Sequence, residues 1–462
     1  MSTASVPPLP TFVPPGPKPL SPIIALARTA LGDEGNLLSL LPAEAYRVPI
    51  GPLGYSRRQI VIVNEPALVR EVLNDERGIF PKSDLMVDAT EPLIGDAMFV
   101  SSGERWRRQR AMIDPAFSHM RVGHAFPSMA AAVDAFEERL DGLAAAGEAF
   151  SLDLAMSQLT ADVICRTIFS TELATDASRE VFECFDVFER GIGQVNLMRM
   201  IFAPAFAKTP HAPEVLDACA RIRARLGEMV DPRLEGRIEH DDICGAVVAA
   251  RDAATGEGFT REELIDQLGV FFLAGHETTA SVLTWLFELL VEEPTLADAI
   301  AAEVDEVVGE GPVIFEHTKN LPVLRAIFRE TARLYPPITF LPRVAMERTR
   351  LGGHRIRRGA LVMIAPWTIH RHEQLWRDPH RFDASRFLPG AEEKIESGAY
   401  IPFGYGPRIC IGAAFALVES CLIVARLVRR YRFERADDAV VEPVARLTTR
   451  PRHEIRLRAR RH

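Results

Sequence analysis

A long helix that is apolar on nearly every side constrains this chain more than any other feature. Residues 260–263, Thr-Arg-Glu-Glu, form a capping box, which predicts a helix from there to about Val291. Its centre reads LGVFFLAGHETTASVLTWLFELL, so we expect the helix to be buried. The same centre contains Gly275 and Glu277, although a glycine and a charge both destabilise a buried helix. Because of this conflict we expect function at residues 275–279.

The other patterns predict a mainly helical chain with a small β-rich part. Apolar and β-branched residues at 46–64 flank a Gly-Pro-Leu-Gly sequence, which predicts a hairpin. Short strand signals occur within residues 336–390, and a terminal strand pair is expected near 439–458. Apolar residues at intervals of three and four predict helices at 66–75, 129–143, 152–169, 214–229 and about 411–430. No segment resembles an interdomain linker, so we expect one domain over 26–462 after a proline-rich arm at 1–25.

Composition and charge exclude several classes of protein. With 462 residues, 47% hydrophobic and 25% charged, the chain is typical of a soluble globular protein. Its net charge of −9 argues against a nucleic-acid partner, which would require a basic surface. We find no signal peptide and no apolar run that would span a membrane, so we expect a cytoplasmic protein without a membrane anchor.

One of the six cysteines lies in a glycine-rich frame. Residues 403–412 read FGYGPRICIG, which predicts a turn that presents Cys410 at the start of a helix. The helix N-terminus is expected to lower the pKa of this thiol. Gly406 and Gly412 would let the backbone approach a flat ligand, and Arg408 could pair with a carboxylate of that ligand. A buried, inert cysteine in a tight loop is the alternative interpretation.

The pattern FxxGxRxCxG in residues 403–412 resembles the haem-binding signature of the cytochrome P450 family and matches it at each fixed position. Three further motifs follow the family's order. Residues 274–279 (AGHETT) resemble its oxygen-activation motif, 330–333 (ETAR) its ExxR motif, and 376–387 its WxxPxxFxxxRF segment. In the last, Ser385 replaces the usual Glu. The resemblance implies the mainly α cytochrome P450 fold, with haem between a long central helix and the helix after the cysteine.

The resemblance also implies roles for individual residues. Cys410 would be the axial ligand of the iron in haem b, and a thiolate ligand favours O–O cleavage, a general property of this family. Thr278 would bond back to the Ala274 carbonyl and loosen the helix where dioxygen binds. Glu277 and Thr278 would then relay protons as an acid–alcohol pair. The candidate haem contacts are Lys82, Trp106, Arg110, Ala274, Arg343, Phe403, Gly404, Arg408 and Gly412.

Behind the haem, Glu330, Arg333 and Arg386 are expected to form a buried charged triad that serves folding. His276, His370 and His372 have no partner at metal-ligand spacing, so we interpret them as structural or active-site polar groups.

The implied reaction inserts one atom of O2 into an apolar molecule such as a fatty acid, a terpenoid or an aromatic hydrocarbon. No flavin or iron–sulfur motif follows Cys410, so electrons are expected from a ferredoxin and its reductase or from a flavodoxin-type donor. Arg105, Arg107 and Arg108 form either a docking patch for such an acidic partner or an ordinary solvated face. The residues expected to line the substrate pocket are Phe271, Phe272, Thr339, Phe340, Leu341 and Thr448.

Two other functions are compatible with these motifs. One is a haem-thiolate enzyme that uses peroxide or works without oxygen, against which the Glu277–Thr278 pair argues. The other is a non-catalytic haem-binding sensor, against which the lack of a visible output segment argues.

Overall fold

The computed structural model describes residues 9–16, 21, 36–53, 57–193 and 204–462. Within these ranges the helices are α1 Pro66–Leu73, α2 Asp84–Ile94, α3 Gly103–Ile113, α4 His119–Ala146, α5 Leu152–Ile168, α6 Asp176–Gly193, α7 Pro213–Leu234, α8 Ile243–Ala249, α9 Arg261–Glu292, α10 Pro294–Val308, α11 Pro322–Leu334, α12 Pro366–Ile369 and α13 Ala413–Arg430. The strands are β1 Ile50–Pro52, β2 Ile60–Val63, β3 Phe150–Ser151, β4 Leu341–Val344, β5 Thr349–Leu351, β6 His354–Ile356, β7 Leu361–Ile364, β8 Tyr431–Arg435, β9 Pro443–Ala445, β10 Thr449–Pro451 and β11 Arg456–Arg461. The expectation of a mainly α fold with a small β-rich part is confirmed.

The long helix α9 begins where its capping box predicts. Thr260 accepts a hydrogen bond from the Glu263 backbone at 3.2 Å, and the Glu263 carboxylate accepts one from the Thr260 backbone at 2.9 Å. The helix ends at Glu292, and most of its residues from Leu264 to Leu290 are buried. It packs along α5 and α7 and touches α13, so it forms the centre of the core. Among the described residues, no helix is both long enough and apolar enough to cross a membrane.

A four-stranded sheet has the order β1-β2-β7-β4, in which β2 and β7 run parallel. The predicted hairpin is present as the antiparallel pair β1 and β2, but Gly51 and Pro52 belong to β1 and not to the turn. Pro52 fits there because it is exposed and lies at the end of an edge strand. Residues 54–56 of the connection lie outside the described part of the chain.

Near the C-terminus the strands divide between two small sheets. The expected pair near 439–458 is β9 with β10, whereas β11 joins β8 and β3 in a second sheet. The β9–β10 hairpin lies against α9, because Ser281 and the Trp285 indole both donate to the Thr449 carbonyl, at 2.7 and 2.9 Å. This contact brings residues 448–450 to the centre of the long helix.

Part of the proline-rich arm packs on the helical body. Phe12 forms a β-bridge with Phe382, their rings 5.2 Å apart, and Tyr335 donates to the Pro15 carbonyl. Most of the expected arm, including residues 1–8 and 22–25, falls outside the described ranges.

Candidate active site

The segment before α13 is a tight turn that presents Cys410. Gly404 and Gly406 have φ of 78° and 72°, a left-handed conformation that favours glycine. A Cβ on Gly406 would lie 2.9 Å from the Leu73 carbonyl oxygen of α1, so a larger residue would push the turn away. The Cys410 backbone donates to the Phe403 carbonyl at 2.8 Å, and Gly412 caps α13. These contacts hold the sulfur in one place.

The Cys410 thiol is accessible, whereas the other five free cysteines are buried. The protein around its sulfur nonetheless removes much of the solvation that a thiolate would have in water. We expected the helix N-terminus to lower the pKa of this thiol. Instead, burial raises that pKa, and the Gly412 backbone with the Arg110 and Lys82 charges offsets the rise only in part. A bound metal cation would keep such a sulfur deprotonated.

Three cations lie near this turn without a carboxylate partner among the residues that the structure describes. Burial lowers the pKa of Lys82 well below its usual value, and the Arg343 and Arg408 charges add to this effect. Burial and the Arg408 charge lower the pKa of Arg343 to about 10, and burial and the Arg110 charge lower that of Arg408 to about 10. A cluster with this excess of positive charge fits a ligand that carries two carboxylates, as haem does.

Two more of the predicted haem contacts, Trp106 and Arg110, lie beside Arg408 and the cysteine turn. Arg408 stacks over the Trp106 ring at 4.5 Å and donates to the Ser101 carbonyl at 2.6 Å. Arg110 donates to the Ile409 carbonyl at 2.8 Å and pairs with Asp114 at 2.6 Å, so its charge is already partly neutralised.

One face of α9 is open in the middle of an otherwise buried helix. Thr278 Oγ1 donates to the Ala274 carbonyl at 2.6 Å, the bond expected from the sequence. Ala274 is exposed and Thr278 half-buried, and Phe271 shares their helix face by its spacing. The glycine at position 275 is explained by packing and not by the open face. A Cβ there would lie 3.0 Å from Ile164 Cγ1 and overlap Cδ1, so the glycine permits the close approach of α5.

Glu277 does not bond to Thr278 in the described structure. Its carboxylate instead accepts from Thr448 Oγ1 at 2.6 Å and from Arg450 Nε at 2.9 Å, and a second Arg450 nitrogen also donates to it. Arg450 in turn pairs with Asp153 at 2.6 Å. Burial alone would raise the pKa of Glu277, but the Arg450 guanidinium lowers it to about 2. The expected acid–alcohol pair is therefore not in direct contact, because the hairpin holds the acid.

The predicted charged triad is assembled in α11 and the segment after it. Glu330 and Arg333 are fully buried and joined by two bonds of 2.7 Å. Arg386 lies farther off, with its Nε 3.6 Å from Glu330 Oε1. Within the described part of the chain that nitrogen has no hydrogen-bond partner, although another nitrogen of Arg386 donates to the Asp378 carbonyl at 3.3 Å. Arg333 also donates to the carbonyls of His370, Pro379 and Arg381 at 2.7–2.8 Å, so it ties this segment to α11.

The residues predicted to line the substrate pocket lie in different parts of the structure. Phe271 packs edge-on against Phe117, with ring centres 5.1 Å apart. Phe272 stacks on Phe185 of α6 at 4.6 Å, on a different face from Ala274 and Thr278. The other candidates are buried or partly buried: Thr339, which is 3.4 Å from Thr449 Oγ1, Phe340, Leu341, and Thr448, which is bonded to Glu277.

The arginines of the possible docking patch are each paired with acids. Arg105 bonds Asp96 and Arg107 bonds Glu104, while Arg108 lies 2.9 Å from Glu263 and 3.3 Å from Asp252. The local charge is therefore close to neutral, which favours an ordinary solvated face over a docking patch.

The site combines an exposed cysteine in a tight turn, cations that lack a carboxylate partner among the described residues, and a hydroxyl bonded back to its own helix. These features define a haem-thiolate site. Residues 14–457 match the family model described as "Cytochrome P450". The chain is similar to cyclooctat-9-en-7-ol 5-monooxygenase of Streptomyces melanosporofaciens, with 32% identity over 86% of this chain and 84% of the relative. It is also similar to cyclooctatin synthase of that organism, with 31% identity over 97% and 93% of the two chains.

Among solved structures, the haem domain of cytochrome P450DA matches with a TM-score of 0.79 and 25% identity, covering 90% of each chain. The chain belongs to the cytochrome P450 family. It is a monooxygenase of the haem-iron class that acts on small molecules.

Proposed function

We propose that this enzyme inserts one atom of O2 into an apolar terpenoid-like skeleton, with haem b held by Cys410. The observation that carries the proposal is the Thr278–Ala274 bond of 2.6 Å on the open face of α9. A protein that only held haem would not need a hydroxyl there. Cys410, accessible in its turn, supports the ligand assignment.

The residues that would hold haem are those of the site described above. Cys410 would ligate the iron, and Lys82, Arg343 and Arg408 would pair with the two carboxylates, with Arg110 beside them. Bound in this way, haem would supply the activation of dioxygen.

The proton path would be formed by side chains of α9. Because the Thr278 hydroxyl proton bonds to the Ala274 carbonyl, the hydroxyl oxygen remains free to accept a hydrogen bond. Glu277, which is ionised while Arg450 holds it, would first take up a proton and leave Arg450, and would then donate that proton towards the Thr278 hydroxyl. Thr278 would thus fix the position of proton delivery, and Glu277 would control its timing.

The two Streptomyces melanosporofaciens relatives support a terpenoid-like substrate, as do the apolar residues Phe271, Phe340 and Leu341 expected near the pocket. Fatty acids and aromatic hydrocarbons are the competing classes. A screen of all three against the haem-loaded protein tests this, by the spectral shift that follows displacement of iron-bound water. We expect a terpenoid alcohol or hydrocarbon to shift the spectrum at the lowest concentration. A shift with fatty acids alone would contradict the substrate class.

The ligand assignment and the electron source have separate tests. Cys410→Ala should abolish the red-shifted carbon-monoxide band of the reduced protein, whereas Cys421→Ala, a buried cysteine within α13, should retain it. We propose a ferredoxin with its reductase, or a flavodoxin-type donor, as the electron source. Turnover that is faster with added peroxide than with either donor would favour the peroxide-using alternative. Tight haem binding without oxygen consumption, whichever ligand is added, would favour the sensor.

A further inference from the structure

A second carboxyl group lies beside Glu277, on the neighbouring helix α6. Glu189 Oε1 is 3.9 Å from His276 Nε2, and the ligating atoms of Glu189, His276 and Glu277 all lie within 4.8 Å of one another. Glu189 Oε1 is buried and has no hydrogen-bond partner within the described structure, yet 19% of the Glu189 side chain is exposed to solvent. The carboxyl group therefore reaches from the surface of α6 to the interior at Glu277.

The surroundings of this cluster leave one proton on Glu189. Two adjacent carboxyl groups do not both ionise readily in a buried place. Arg450 binds Glu277 directly, so Glu277 carries the negative charge. Burial and the Glu277 charge raise the pKa of Glu189 well above its usual value, while Arg450 opposes this rise and Asp186 of α6 adds to it. Glu189 is thus the neutral member of the pair.

His276 does not compete with Glu189 as a source of protons. Burial lowers the pKa of His276, so the ring is neutral at pH 7. Its Nδ1 is 2.7 Å from the Phe272 carbonyl, an acceptor, so the ring proton is on Nδ1. Nε2, which faces Glu189, is then an acceptor without a proton of its own. A metal cation does not fit the cluster either, because Arg450 already neutralises Glu277.

We propose that Glu189 holds a proton that it exchanges with Glu277, and that it thereby supplies the proton path leading to Thr278. In the exchange the O–H bond of Glu189 breaks and an O–H bond of Glu277 forms, so the negative charge moves from Glu277 to Glu189. Glu189 regains its proton from solvent at the surface of α6. This inference rests on the proposed function, in which Glu277 and Thr278 deliver protons.

Arg450 makes the exchange feasible because it faces both carboxyl groups. Both Glu277 and Glu189 raise the pKa of Arg450, together with Asp153 of α5, while burial lowers it. The guanidinium therefore compensates the negative charge on either carboxylate. When Glu277 leaves Arg450, burial favours its protonated form, and Arg450 then stabilises the ionised Glu189.

Infrared spectroscopy of the purified holoenzyme tests the proton without relying on activity. The difference spectrum between wild type and Glu189→Gln at pH 7 should contain the band of a protonated carboxyl group, which shifts in D2O. Glu183→Gln, an exposed acid on the same helix, is the matched control and should lack this difference. The difference spectrum is needed because burial also raises the pKa of Glu419. A spectrum of Glu189→Gln that keeps the full band would overturn the proposal.

Turnover gives a second readout that separates a proton donor from a structural residue. Glu189→Gln should lower product formed per electron about tenfold, less than the ~100-fold typical of a group that acts directly on substrate. In wild type this yield should fall as the pH rises and Glu189 ionises, and the variant should lose that dependence. Glu189→Asp keeps an acid and should restore the band and part of the yield; no rescue would contradict the proposal. If Glu189→Gln lacks the band but the wild-type holoenzyme consumes no oxygen, the proton on Glu189 stands and only the proposed function is contradicted.

Discussion

Arg450 of β10 holds Glu277 of α9 by hydrogen bonds to both carboxylate oxygens, although the two residues are 173 positions apart. Both side chains are largely buried, with exposures of 14% and 8%. The hairpin thus determines the charge state of the acid that we propose for proton delivery.

Removal of this cation should cost stability in a pH-dependent way. Arg450→Gln leaves a buried carboxylate without its partner, so the free energy of unfolding at pH 7 should fall by about 3–5 kcal/mol. The folded pKa of Glu277 is lowered to about 2, below its unfolded value of about 4.3. The stabilisation is therefore present above the unfolded pKa and lost as the pH falls toward 2. Urea unfolding from pH 7 to pH 3 should show the difference from wild type shrinking.

The matched control is Arg460→Gln, which breaks an exposed pair of 3.0 Å with Glu434. That change should cost less than about 1 kcal/mol. Equal losses in the two variants would contradict the special importance of Arg450.

The Thr278 hydroxyl should govern how electrons are used. Thr278→Ala removes the donor to the Ala274 carbonyl and the hydroxyl of the proton path. We expect unchanged haem and substrate binding, a several-fold lower yield of product per electron, and more peroxide. Thr278→Ser keeps a hydroxyl and should retain most of the yield. Oxygen uptake, peroxide and product measured together decide the matter, and an unaltered yield in Thr278→Ala would refute the relay.

The two arginines near Glu330 should differ in importance. Arg333→Lys keeps the charge but loses the planar fork that makes two bonds to Glu330 and three to carbonyls, so we expect a loss of about 3–5 kcal/mol. Arg386→Lys changes a contact of 3.6 Å to Glu330, and the Nε that makes it has no hydrogen-bond partner among the described residues, so we expect a loss of about 1 kcal/mol. The urea midpoints of both variants test this order. A larger loss of stability in Arg386→Lys would show that Arg386 contributes more to stability than Arg333.

Gly275 should matter for packing against α5. In Gly275→Ala the new methyl group overlaps the end of Ile164, which should cost about 1–3 kcal/mol. The roughly 1 kcal/mol that Ala gains over Gly in a helix offsets part of this cost, so we expect a net loss of up to about 2 kcal/mol. Ile164→Val removes Cδ1, the overlapping atom, so the double variant should recover part of the loss. Additive losses in this double-mutant cycle would argue against the contact.

Features that depend on local pattern could be predicted from the sequence. The capping box placed the start of α9, and the four-residue spacing of Ala274 and Thr278 predicted their hydrogen bond. The same helical period separates Phe272 from Ala274 and Thr278, so closer attention to spacing would have placed Phe272 on a different face of α9 from the expected pocket.

Features that depend on contacts between distant segments could not be predicted. No local signal in the sequence links Glu277 to Arg450 or to Glu189, since each pairing requires the packing of a separate element on α9. The pKa of Cys410 is another case. The helix N-terminus is visible in the sequence, but the burial that outweighs it is a property of the folded chain.

The distance along the chain between Glu277 and Arg450 has a consequence during synthesis. At roughly 5–20 residues per second, a ribosome that has added Glu277 needs about 9–35 s to reach Arg450, 173 positions later. Over that interval the nascent helix carries an acid whose cation has not yet been made. Until then, the centre of α9 either stays hydrated or takes up a proton at Glu277, so its final burial is a late event in the maturation of the polypeptide.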